Sequence, residues 1–111
     1  MNRITAENKE NPQEKMVFDV KLDSNQKASP ILIFGYALEG EGKGEKWPFI
    51  MESRKPNGTI YWGAGFDDYH STTNIFEKEI LIGNYFSRFD KEPGSPSPDE
   101  YTYKIINIDS L

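Results

Sequence analysis

Asp67-Asp68-Tyr69-His70 is the one stretch of this chain where a histidine meets carboxylates. Imidazole and carboxylate together can ligate a divalent metal, and Glu77 or Glu79 could complete such a set. Adjacent aspartates point in different directions, however, and the chain has no second histidine. The stretch therefore reads as a solvated loop whose Asp side chains cap backbone amides, and neither a metal nor a cofactor is expected. His70 is also the sole conventional base for a hydroxyl nucleophile, with Ser71 beside it. Chain neighbours seldom have the mutual geometry that such a pair needs, so the reading leans away from catalysis. Gly40, Gly42 and Gly44 with Lys43 imitate a phosphate cradle, but no Ser or Thr follows Lys43, and Glu39, Glu41 and Glu45 would repel a phosphate. The chain has no cysteine, which excludes disulfides and thiolate chemistry.

Aromatic residues give a second set of candidates. Trp47, Tyr61, Trp62, Phe66 and Tyr69 crowd into one part of the chain. Trp62 and Phe66 are expected in the core. Trp47 sits beside Pro48 after a glycine-rich stretch and Tyr61 on the more polar face of its strand, so both are expected at the surface. Exposed aromatics of this kind anchor protein partners.

Charge says which partners. The formal net charge is −5. Within residues 67–79, Asp67, Asp68, Glu77 and Glu79 stand against Lys78 alone, a net −3. Such a segment repels a phosphate backbone, so nucleic acid is not an expected partner. A protein with a basic surface is. Trp47, Tyr61, Asp67, Asp68, Tyr69 and His70 together form the expected binding surface.

The elements that must hold these residues follow from periodicity. Residues 1–15 are polar and lack an apolar period, and they read as a flexible N-terminal arm. From Met16 the pattern changes: Phe18, Val20 and Leu22 alternate with Asp19 and Lys21, the signature of a half-buried strand. Pro30 to Leu38 is apolar on both faces and reads as a second, central strand, in which Gly35 suggests a bulge or bend. Trp47 to Arg54 and Thr59 to Gly65 flank Asn57-Gly58, a strong hairpin signal. A two-residue turn there pairs Met51 with Ala64 and Ser53 with Trp62, leaving Phe49, Met51, Ile60 and Trp62 on one face. A three-residue Pro56-Asn57-Gly58 loop would slip the register by one and mix Glu52 and Arg54 into that face. The cleaner separation favours the first. Residues 67–74 read as a polar connection. Ile75 to Ile82 reads as a fifth strand, with a short helix as the alternative, and Tyr85 to Phe89 as a sixth, and the proline-rich 92–100 loop precedes a last strand, Tyr101 to Ile108.

These patterns predict one all-β domain over residues 16–111. It would be a small antiparallel β-barrel of SH3-like or OB-like size, or a compact sandwich, of six to seven strands. No apolar run approaches the ~20 residues of a membrane span. The lack of cysteine and of an apolar leader predicts a cytoplasmic protein. The functional expectation is a non-enzymatic protein-binding module, such as an inhibitor or immunity-type protein that neutralises a basic partner. The alternative is a small enzyme or ligand-binding barrel with its site around Asp67, Asp68 and His70.

Overall fold

Eight strands close into one antiparallel barrel with nearest-neighbour connections throughout. They are β1 (Asn2–Asn8), β2 (Lys15–Val20), β3 (Ile33–Glu39), β4 (Glu45–Arg54), β5 (Asn57–Trp62), β6 (His70–Thr73), β7 (Tyr85–Asp90) and β8 (Asp99–Ser110). The computed structural model describes residues 1–39, 45–54, 57–63, 70–91 and 94–111. The fold is all-β, and each strand pairs with its neighbour in sequence while β1 pairs with β8.

The closing strand corrects the expectation for the N-terminus. Residues 2–8 are not an arm: they pair with β2 on one side and β8 on the other. Their inward residues are Ile4, Ala6 and Asn8, all buried. A small residue and a polar one on the core face leave almost no period-two signal, so the pattern was silent. Asn8 is satisfied inside by donating to Glu14 Oε1 while its own Oδ1 accepts from the Glu10 amide. The strand count rises to eight for this reason and one other. His70–Thr73, in the segment read as a polar connection, forms β6 and buries Ser71 and Thr73.

Ile75 to Ile82 is not a strand. It opens with a 3₁₀ turn, Ile75–Glu77, and crosses the end of the barrel. Ile75 and Ile80 are fully buried there, whereas Ile82 is 63% exposed. The Ile80 amide donates to the Gln26 carbonyl at 2.6 Å, and Lys27 bridges Glu79, so this crossing and the β2–β3 connection together stopper one end. The opposite end, where β3, β5 and β7 finish and β4, β6 and β8 begin, is termed the mouth.

The β4–β5 hairpin pairs Met51 with Ile60, Phe49 with Trp62 and Arg54 with Asn57. Asn57-Gly58 therefore lies within β5 rather than in the turn, and the register is shifted by four from the expected one. A shift of four keeps parity, so Phe49, Met51, Ile60 and Trp62 still share the inner face. Ala64 and Phe66, also part of the expectation, lie outside the described residues.

Eight strands enclose a space that side chains can just fill. Here an aromatic chain fills it. Trp62 meets Phe49 edge-on at 5.6 Å, Phe49 meets Phe18 at 6.5 Å, Phe18 meets Phe86 edge-on at 6.0 Å, and Phe86 stacks on Tyr103 at 5.6 Å. Gly35 makes room for this chain. It pairs with Phe18 and Phe49, and the ladder runs through it without the expected bulge. A β-carbon at this position would lie 2.6 Å from that of Phe18.

Candidate functional site

The expected site residues separate. Tyr61 and His70 face outward, directly opposite each other on β5 and β6, with ring centroids 6.3 Å apart. Trp47 faces inward: it pairs with Ala37 and shares parity with Phe49 and Met51, at the mouth, where it is 40% exposed. Trp47 and Tyr61 thus lie on opposite sides of the barrel wall, not on one rim. Asp67, Asp68 and Tyr69 lie outside the described residues. Among the described residues, no group of three or more His, Asp or Glu side chains is placed to hold a metal ion.

Two arrangements appear that periodicity alone did not expose. The first is an outer apolar row. Phe34, Ile50 and Tyr61 occupy one level of the register on β3, β4 and β5. All three are exposed, Phe34 at 59%. Beside them Gly35, Pro48 and Gly63 help to line an open depression of about 440 Å³.

The second is an ionic cluster inside the mouth. On β7 the inward positions after Phe86 are Arg88 and Asp90, whose side chains are only 7% and 8% exposed. Arg88 Nε donates to Asp90 Oδ1 at 3.0 Å and Nη2 to Oδ2 at 2.6 Å, a fork-to-fork pair. Nη1 donates to Glu39 Oε1 at 2.5 Å and to the Tyr103 hydroxyl at 3.3 Å. The guanidinium carbon lies 4.5 Å from the Trp62 ring centre and 5.3 Å from that of Tyr101, within cation–π range. Trp62 Nε1 donates to Ser71 Oγ at 2.9 Å, and Ser71 in turn donates to Asp90 Oδ1 through a short contact. Burial alone would lower the Arg88 pKa, but the hydrogen bonds to Asp90 and the nearby acidic groups hold it above the ordinary arginine value. The guanidinium is permanently charged.

The cluster also closes the barrel. β6 and β7 share only two ladder pairs, Thr72 with Phe89 and Thr73 with Arg88. One step further along, Ser71 and Asp90 are joined by their side chains instead. At the other end of the seam, Thr73 Oγ1 donates to the Ser87 carbonyl and Asn74 Oδ1 accepts from the Ser87 amide, both at 2.8 Å. Side-chain stitches reinforce a short backbone ladder, to which the Asn74 amide adds a bond to the Ser87 carbonyl at 3.3 Å. The signal for this cluster was present in the sequence: an Arg and an Asp two apart, on the same parity as Phe86, place opposite charges on the apolar face of one strand.

Burial raises the Tyr103 hydroxyl to a pKa of about 12, with Arg88 opposing and Glu39 reinforcing the shift. The group stays protonated in the folded state at pH values where the unfolded chain has already lost its proton. The folded state then binds more protons, so stability is full below about pH 10 and falls as pH rises toward 12. Melting temperature measured from pH 9 to 12 should show this loss, and Tyr103→Phe should remove its share of it. An unchanged pH profile in the variant would contradict the assignment.

Comparison of the chain with protein-family models, with curated proteins and with solved structures finds no match.

Proposed function

We propose that this protein is a non-enzymatic binding module that receives a protein partner with a basic surface on the outer wall of β3, β4 and β5. The observation that carries the reading is the lateral row Phe34–Ile50–Tyr61, three apolar side chains held outward in register beside a shallow depression. An outward apolar cluster on a small barrel marks a contact surface, and aromatic anchors within it supply most of the affinity. The net charge of −5 favours encounter with a basic partner and gives association its salt dependence. An inhibitor or immunity-type protein of the cytoplasm, neutralising a basic partner, has this combination. Of the residues first considered, Tyr61 is an anchor, His70 flanks it, and Asp67 and Asp68 contribute charge. Trp47, facing inward, belongs to the mouth.

Pull-down from the native organism identifies the partner, and stopped-flow kinetics then separates the contributions. Phe34 and Tyr61 are exposed, so Phe34→Ser and Tyr61→Ala should leave the fold intact by circular dichroism. Each should speed dissociation by about tenfold or more, the range of an interface hot spot. Asp67→Asn with Asp68→Asn should slow association and flatten its salt dependence. Rates within about twofold of wild type for both wall variants would place the interface elsewhere and end this reading.

A further inference from the structure

Arg88 carries one positive charge and touches two carboxylates. Asp90 is its fixed partner: same strand, bidentate, buried, and further held by Ser71. Glu39 is different in each respect. It comes from β3, four strands from β7 in either direction around the barrel, so its contact crosses the mouth with no ladder between the two strands. It lies at the last position of β3, is 29% exposed, and accepts through one oxygen only. Asp90 already balances the charge of Arg88, so Glu39 is surplus.

The donors at this point exceed what Glu39 uses. The Tyr103 hydroxyl accepts from Arg88 Nη1, and among the described residues no acceptor takes its own proton, although Tyr103 is 2% exposed. Nη1 and the Tyr103 hydroxyl, 3.3 Å apart, are thus a pair of adjacent donors of which Glu39 engages one. We propose that the barrel mouth binds a small organic monocarboxylate, whose two oxygens engage Arg88 and the Tyr103 hydroxyl in place of the Glu39 carboxylate. This site lies inside the barrel and is independent of the outer-wall reading.

The exchange of one carboxylate for another leaves the charge on Arg88 balanced. Burial keeps Tyr103 protonated and therefore a donor. Trp47 and Tyr101, inward-facing and partly exposed on β4 and β8, offer apolar surface to the body of the ligand. The rim also limits ligand charge. Glu45 pairs with Glu39, and Asp99 pairs with Asp90, so like charges face each other across both ladders. Each further negative charge on a ligand meets that repulsion, which favours monocarboxylates over dianions such as succinate or phosphate. Glu39 acts as a resident competitor for the same Arg88 donor.

The test titrates benzoate and hexanoate into the whole protein, with tryptophan emission and calorimetry as readouts. Benzamide, succinate and inorganic phosphate are the controls. Saturable binding of a monocarboxylate near millimolar strength is expected, tightening by about tenfold in Glu39→Ala because the competitor is gone. Tyr103→Phe, which keeps the ring and its packing, should weaken binding by about fivefold, the order of one lost hydrogen bond. Glu39→Ala leaves Arg88 with Asp90 and so keeps the fold, which circular dichroism verifies. The proposal is overturned if neither wild type nor Glu39→Ala saturates by about 50 mM, a ceiling well beyond weak specific binding. It is equally overturned if benzamide, succinate or phosphate binds as tightly as benzoate, or if Glu39→Ala fails to tighten binding.

Discussion

Asp90→Ala should destabilise the barrel by about 3–5 kcal/mol, the cost of leaving one partner of a buried ion pair behind. Three donors lose their acceptor at once: Arg88 Nε, Arg88 Nη2 and the Ser71 hydroxyl. Glu39 remains, but it reaches only Nη1 from across the mouth. For a domain of this size the loss is a large part of a total stability of about 5–15 kcal/mol. Urea unfolding monitored by tryptophan emission measures it directly, because Trp62 stacks on the guanidinium that loses its partner. The double variant Arg88→Met with Asp90→Leu is expected to recover much of the stability, since removing both charges avoids an uncompensated one. If the single variant unfolds within about 1 kcal/mol of wild type, as ordinary surface substitutions do, the pair does not hold the barrel closed.

Gly35→Val is the second large effect. The new β-carbon would fall 2.6 Å from that of Phe18 and 2.8 Å from its α-carbon, and would press on the Val17 carbonyl. Two of these obstacles are backbone and cannot rotate away. Phe18 cannot retreat either, because Phe49 and Phe86 pack against it. The expected cost lies at or above the upper end of the ~1–3 kcal/mol typical of overpacking, and Gly35→Ala should already lose most of it. Thermal denaturation measures both. The informative control is Phe18→Leu in the Gly35→Ala background. Leu keeps the α- and β-carbons that a side chain at 35 would meet, so the double variant should recover little of the loss, and a large recovery would show that the Phe18 ring is the obstacle instead.

How far the sequence disclosed this molecule follows from what each segment buries. β2 and the β4–β5 hairpin announce themselves because large apolar residues alternate on their inner faces. The error of four in the hairpin register was harmless for the same reason, since it preserved parity. β1 was silent because its inner face is Ile4, Ala6 and Asn8, and β6 because its inner face is Ser71 and Thr73. Ile75–Ile82 misled because an apolar stopper across a barrel end has the composition of a strand without its pairing. The expected surface divided because Trp47 and Tyr61 have opposite parity about the hairpin, which a list of aromatic residues does not reveal. The Arg88–Asp90 pair was readable from parity on β7, but its contact with Glu39 needed the fold itself, because the two strands meet only when the barrel closes.

That closure governs how anything can be recognised. With β1 joined to β8, every strand has a neighbour on both sides, and among the described residues only short stretches of main chain, such as the start of β7 on its β6 side, lack a ladder partner. Partners that bind by strand addition gain affinity from main-chain bonds and are tolerant of sequence. A closed ladder leaves little main chain free for that mode. Where the ladder takes up the main chain, recognition in the reading proposed above falls to outward side chains such as Phe34, Ile50 and Tyr61. New specificity could then arise by exchanging those residues while the backbone stays as it is.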